Sequence, residues 1–245
     1  MKRRMSLISQ ALMAAAGTLG LAGSVLAAPS YGDIAAPGVY FGSGNVNGNW
    51  TIDTSNNIEV ALRAKDRGTL ATIDGSSGAY FVSNPGFCNP VCGGSNKAAW
   101  NYEFSVNVRA DGTGTADLSD FIVQMEVDTD PTAGMNWVVL NVLSNWPDTA
   151  YWDGSAPRIN RQSPIAGEFG AQQSANPMFG DSGYGYLPGR GTFDLRLSVY
   201  APSTQGQPTL LAQTGATVQV PEPGSLALAG LALFGLAAAR RRKTA

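Results

Sequence analysis

The chain of 245 residues is predicted to be all-β, a single antiparallel β-sandwich of jelly-roll-like type set between two targeting segments. Three observations point there. Apolar residues recur at every second position in several interior segments, the period of a strand with one buried face. Clusters of Gly, Asn, Asp, Ser and Pro fill the intervals, supplying the backbone angles that turns need. No interior segment carries a sustained 3.6-residue apolar stripe flanked by helix caps.

The strands follow in chain order. Ile58, Val60 and Leu62 share one face of the first, and Tyr80 to Val82 reads as a short second. From Trp100 to Arg109 alternation is complete: Trp100, Tyr102, Phe104, Val106 and Val108 lie on one face and Asn101, Glu103, Ser105, Asn107 and Arg109 on the other. This is expected to be a half-buried antiparallel strand. The same period places strands at Phe121 to Val127 and Phe193 to Val199, and further strands are expected at Trp137 to Val142 and Thr217 to Val220. Turns are expected at Asp74-Gly75-Ser76-Ser77-Gly78 and Asp111-Gly112-Thr113-Gly114. From Pro147 to Pro188 the rhythm is lost, so that interval is expected to run over the surface or to lid one end of the sandwich. Residues 43–220 are long enough for one core without division, with 28–42 as a lead-in.

Both ends read as addresses. Lys2-Arg3-Arg4, the apolar stretch from Leu7 to Leu26 and the small-x-small pattern Val25-Leu26-Ala27 predict a secretory signal peptide over 1–27. At the other end Val220-Pro221-Glu222-Pro223 leads into an apolar run, Gly224 to Ala239, closed by Arg240-Arg241-Arg242-Lys243. That run spans roughly 24 Å as a helix, against a hydrocarbon core of about 30 Å, so it can only just cross. The cations belong on the cytoplasmic side, which puts Pro221-Glu222-Pro223 just outside the membrane on the far face. Two prolines hold that segment extended, the form a protease or transpeptidase cleft accepts. A weak tail anchor on a proline-rich stalk is the plainer alternative.

The tail resembles a PEP-CTERM sorting signal, with the Pro-Glu-Pro triplet at 221–223, the short span at 224–239 and the arginines at 240–242 in order. The resemblance covers the last 25 residues, 221–245. It implies that Pro221, Glu222 and Pro223 are read by a membrane-embedded exosortase after transient insertion in the inner membrane. It further implies release or attachment at the outer surface of a Gram-negative bacterium that makes exopolysaccharide. The body is more distantly similar to the bodies of some PEP-CTERM proteins. The likeness lies in Gly42-Ser43-Gly44-Asn45-Val46-Asn47-Gly48-Asn49, Leu62-Arg63-Ala64-Lys65 and Gln172-Gln173-Ser174-Ala175-Asn176.

Setting both address segments aside changes the charge. Seven of the 16 bases and one of the 18 acids lie in them, leaving 17 acids against 9 bases over 28–220, about -8. No cluster of Lys and Arg remains to neutralise phosphates, so nucleic acid is excluded as a partner.

The composition also narrows the chemistry. The chain has no histidine, which removes Ser-His-Asp and Cys-His catalysis and the usual imidazole metal sites. Glycoside hydrolysis would need two carboxylates across a cleft. Glu59, Glu103 and Glu126 fall on polar strand faces near Arg63 and Arg109, and Glu168 sits in the irregular interval. Solvated or cross-strand pairing explains the first three, so no enzyme is expected and no cofactor beyond a structural calcium ion. Asp128 and Asp130, after a strand end, are the candidate ligands for that ion, with Asp111 and Asp117 around a glycine-rich turn. Cys88 and Cys92 are expected to close a small disulfide loop in an exported chain. Trp146, Tyr151 and Trp152, followed by Tyr184 and Tyr186, are the candidate sugar-stacking aromatics. The reading is thus a non-catalytic surface or matrix protein sorted by an exosortase, with a carbohydrate-binding module delivered to the same place as the alternative.

Overall fold

The computed structural model describes residues 28–42, 45–83, 86, 88, 97–132, 134–155, 159–180, 190–221, 231 and 233. Twelve strands occur among them: β1 (Ser30–Gly32), β2 (Trp50–Ser55), β3 (Ile58–Asp66), β4 (Tyr80–Phe81), β5 (Trp100–Asn107), β6 (Ile122–Asp128), β7 (Trp137–Asn141), β8 (Thr149–Trp152), β9 (Ile159–Arg161), β10 (Gly170–Ala175), β11 (Gly191–Ala201) and β12 (Thr209–Val220). One four-residue helix, α1 (Val142–Asn145), follows β7, with the Asn141 side chain accepting from the Leu143 N–H at its start.

The strands form two sheets, ordered β1-β2-β3-β5-β10-β8-β9 and β4-β12-β11-β6-β7. Every pairing is antiparallel except that of β4 with β12. Local sequence explains the tight connections. β2 turns into β3 through Asn56 and Asn57, both at positive φ (54° and 61°), which matches the twist of a two-residue hairpin and suits asparagine. Between the sheets the alternating apolar positions meet. Trp100, Tyr102, Phe104 and Val106 of β5 and Val60 and Leu62 of β3 share one core with Val123, Met125 and Val127 of β6 and Phe193, Leu195, Leu197 and Val199 of β11. Trp100 and Phe193 lie with ring centres 6.3 Å apart across the sandwich.

The structure departs from the expected pattern in three ways. First, β5 is buried on both faces, not one. Residues 33–42 and 45–49 fold back across the outer side of the seven-stranded sheet, where Ile34, Tyr40, Phe41, Trp50, Ile52, Ala61 and Ala150 make a second small core. The segment 28–42 is therefore part of the domain, contributing β1 and this cover, and is not a lead-in. Second, the interval from Pro147 to Pro188 holds β8, β9 and β10, and β10 lies inside the sheet between β5 and β8. Its sequence, Gly-Ala-Gln-Gln-Ser-Ala, has no large apolar residue to betray a buried strand. Third, the strand ending at Val220 begins at Thr209, long enough to pair with the whole of β11. Among the described residues no helix is long and apolar enough to cross a membrane. The predicted signal peptide lies outside the described residues, as does the apolar run 224–239 apart from Leu231 and Leu233.

Candidate functional site

The outer side of the seven-stranded sheet gathers the polar residues that the strand period turns away from the main core. Antiparallel register sets Arg63 of β3 opposite Glu103 of β5. The Arg63 Nε donates to Glu103 Oε2 at 2.7 Å, and both side chains are sealed from solvent. Its Nη1 donates to the carbonyls of Val46 at 2.9 Å and Gly48 at 2.8 Å, and the guanidinium lies 4.1 Å from the centre of the Trp50 ring. One buried arginine thus ties the covering segment to the sheet. Lys65, two residues on and on the same face, donates to the Asn45 side-chain oxygen and stands 3.8 Å from Glu103 Oε1. Burial pulls the Lys65 ammonium below its ordinary range, and the Glu103 carboxylate opposes that shift.

β10 supplies the other half. The Gln172 Oε1 accepts from the Tyr40 N–H at 2.9 Å, and its Nε2 donates to the Gly38 carbonyl at 2.9 Å and to Ser105 Oγ at 3.0 Å. Gly170 lets the Tyr40 ring come close, because a Cβ there would stand 2.7 Å from the Tyr40 hydroxyl and displace it. Residues from the three body segments singled out in the sequence, Asn45, Val46 and Gly48, then Arg63 and Lys65, then Gln173 and Ser174, are remote along the chain and meet on this one face.

Next to this cluster the face sinks into a groove of about 280 Å³. Asn45, Asn101, Asn160, Gln173 and Ser174 line it together with Lys65, Arg67 and three carboxylates, Asp66, Glu103 and Asp148, while Phe41 and Leu70 are its apolar contacts. Each carboxylate has a structural partner. Asp66 accepts from the Thr69 N–H at 2.7 Å and its hydroxyl at 2.9 Å, Glu103 holds Arg63, and Asp148 accepts from Gln173 Nε2 at 2.6 Å. The lining offers amide and hydroxyl groups for hydrogen bonding.

The aromatic residues expected to stack on sugars are elsewhere. Trp146 is in the main core with its ring 5.3 Å from that of Phe104, and it is 2 % exposed. Tyr151 is buried too, its hydroxyl donating to the Leu143 and Gln162 carbonyls, and burial pushes its pKa up to about 12. Trp152 is packed between Tyr40 and Phe169 at 6.1 and 4.9 Å. These three are packing residues and not an exposed platform: Trp146 follows α1 into the main core, and Tyr151 and Trp152 belong to β8, an inner strand of the sheet. Tyr184 and Tyr186 lie outside the described residues.

The aspartates expected to ligate calcium are turned onto the backbone. Asp128 Oδ1 accepts from the N–H groups of Asp130 at 3.0 Å and Asn136 at 2.8 Å, and Asp130 Oδ1 accepts from Thr132 N–H at 2.9 Å. Such bonds hold a turn together. Asp111 caps its turn through Thr113, and Asp117 pairs with Arg109 at 2.7 Å. Among the described residues no group of three or more acidic or cysteine side chains converges. The other glutamates are engaged as well: Glu126 with Arg196, Glu168 with Arg161, and Glu59 with the Ala35 N–H at 3.0 Å. Of the two roles expected for these strand glutamates, Glu103 and Glu126 take the cross-strand pairing, with Arg63 and Arg196, while Glu59 is buried and not solvated. Cys88 is buried, and Cys92 lies outside the described residues.

β12 delivers the tail. Val220 is still paired with Gly191 of β11, and Pro221 follows at once. The family model of the PEP-CTERM protein-sorting motif matches residues 219–243. This chain carries a PEP-CTERM sorting motif. The PEP-CTERM motif marks an exported, cell-surface-directed protein whose partner in processing is an exosortase. It includes the predicted signal residues Pro221, Glu222, Pro223, Arg240, Arg241 and Arg242, of which Pro221 alone is among the described residues. No curated protein and no solved structure matches the chain.

Proposed function

We propose that the processed protein is a non-catalytic component of the outer surface or extracellular matrix of a Gram-negative cell, associated with its exopolysaccharide. The PEP-CTERM motif at 219–243 carries this reading. In it the signal peptide over 1–27 is removed on export, the run 224–239 halts the chain in the inner membrane, and exosortase acts at Pro221-Glu222-Pro223. Cys88 and Cys92 close one local loop, a bond that mass spectrometry of secreted material would register as a loss of two hydrogens. Deleting the exosortase gene in the producing organism is expected to leave the full tail on a membrane-held protein. Normal release and normal mass in that strain would overturn the reading.

The groove beside Lys65 and Glu103 favours a second reading, a carbohydrate-binding module. Amide and hydroxyl groups around a polar depression match the many hydroxyls of a sugar, and Leu70 gives an exposed apolar contact. Affinity electrophoresis in the organism's own exopolysaccharide tests it. Retardation that disappears on Asp148→Ala or Asn160→Ala, both exposed rim positions, supports binding; equal mobility with and without polysaccharide leaves a passive matrix component.

A further inference from the structure

We propose that the end of the sandwich from which the tail leaves is a docking surface for the exosortase. This inference rests on the sorting reading above. The motif match starts at residue 219, yet Gln219 and Val220 are still sheet residues. Gln219 pairs with Phe81 and accepts from the Val82 N–H at 2.9 Å, and Val220 pairs with Gly191. The motif therefore begins inside the folded domain. Between Val220 and the apolar run stand Pro221, Glu222 and Pro223, a reach of at most roughly 14 Å when fully extended. An enzyme cleft that holds those three residues has to lie against the sheet end.

That sheet end is shaped and is not bland. A cavity of about 380 Å³ opens there, and its rim is formed by Pro221 itself with Phe81, Pro131, Arg190, Thr192 and Gln219. Phe81 stands on the edge strand β4 and is 55 % exposed. Gly191 forms the close approach behind it: its φ is +138°, and a Cβ would stand 2.3 Å from the Pro131 carbonyl oxygen. An exposed aromatic beside an exposed arginine is the composition of an interface centre. A lipid surface fits less well, because the body holds 17 acids against 9 bases and the rim supplies one arginine to oppose that charge.

Pulse-chase labelling of the full chain in cells holding the exosortase, read as loss of tail mass, tests the proposal. Phe81→Ala and Arg190→Glu are each expected to slow tail loss about tenfold, the effect of one good interface contact. Insertion of about six Gly and Ser residues between Val220 and Pro221 is expected to slow it similarly, by separating the two contacts that the enzyme makes together. A linker that leaves the rate unchanged or raises it overturns the proposal, since a passive tether would gain from slack. If Phe81→Ala lowers the thermal midpoint of the purified protein, Arg190→Glu decides. Glu222→Ala separates the two readings: wild-type processing of that variant sinks the sorting reading, whereas its failure beside normal processing of the surface variants sinks docking alone. Flotation on phosphatidylethanolamine and phosphatidylglycerol vesicles that depends on Phe81 without exosortase would assign the surface to lipid and also overturn it.

Discussion

Arg63 shows what one residue does in this protein. Its side chain is fully buried, and its charge is met by Glu103 at 2.7 Å while its Nη1 holds the covering segment through the Val46 and Gly48 carbonyls. Removing the partner leaves a buried cation with no counter-charge, so Glu103→Ala is expected to cost about 3–5 kcal/mol in urea unfolding. Glu59 behaves in the opposite sense. Burial lifts its pKa above the ordinary carboxylate range, with the Ala35 N–H opposing. A raised acid pKa means that the folded state holds the proton more tightly than the unfolded chain does. The stabilising contribution is present below the unfolded pKa and is lost as pH rises through the folded one. Glu59→Gln should therefore raise the thermal midpoint at neutral pH, with the gain closing below about pH 4. Trp146→Ala is expected to cost about 3–5 kcal/mol as a core cavity. An equilibrium unfolding curve within 1 kcal/mol of wild type would contradict its place against Phe104.

At the scale of elements, β10 is the instructive case. A central strand normally announces itself by apolar residues, and Gln172 instead stabilises this one through bonds to Tyr40, Gly38 and Ser105. Gln172→Ala strands buried groups on the covering segment and is expected to cost about 2–3 kcal/mol. Amide hydrogen exchange should quicken over residues 33–42 more than in β11 and β12 if the latch is local. Periodicity found β3, β5, β6 and β11 because each puts alternate large apolar side chains into the core. It could not find β10, whose core residues are the small Ala171 and Ala175 and whose Gln172 reaches a segment about 130 positions away in sequence. The Asn56-Asn57 hairpin had a local signal of its own in two adjacent residues that tolerate positive φ.

For the molecule as a whole, the covering segment and the tail exit matter most. A chain beginning at residue 43 would lose β1 and the buried Ile34, Tyr40 and Phe41, exposing the outer face of the long sheet. It is expected to lose a single cooperative thermal transition, which calorimetry would register; an unchanged transition would show that the segment is dispensable. The groove of Lys65, Asn101, Asp148 and Gln173 arises where β3, β5, β10 and the loop before β8 come side by side. Such a site has no motif, because its members are scattered between positions 41 and 174.

What the sequence by itself determined is whatever rests on local order along the chain. The strand period, the absence of histidine, the acidic balance of the body and the consecutive parts of the sorting motif are all of that kind. Only the tertiary structure decided which polar faces are buried, that Trp146 and Tyr151 belong to the core, and that residues 28–42 complete the domain. It also decided that the motif starts within β12. The physical reason is that burial depends on what packs over a strand, and the partners here are joined by long-range register and hydrogen bonds that leave no periodic trace.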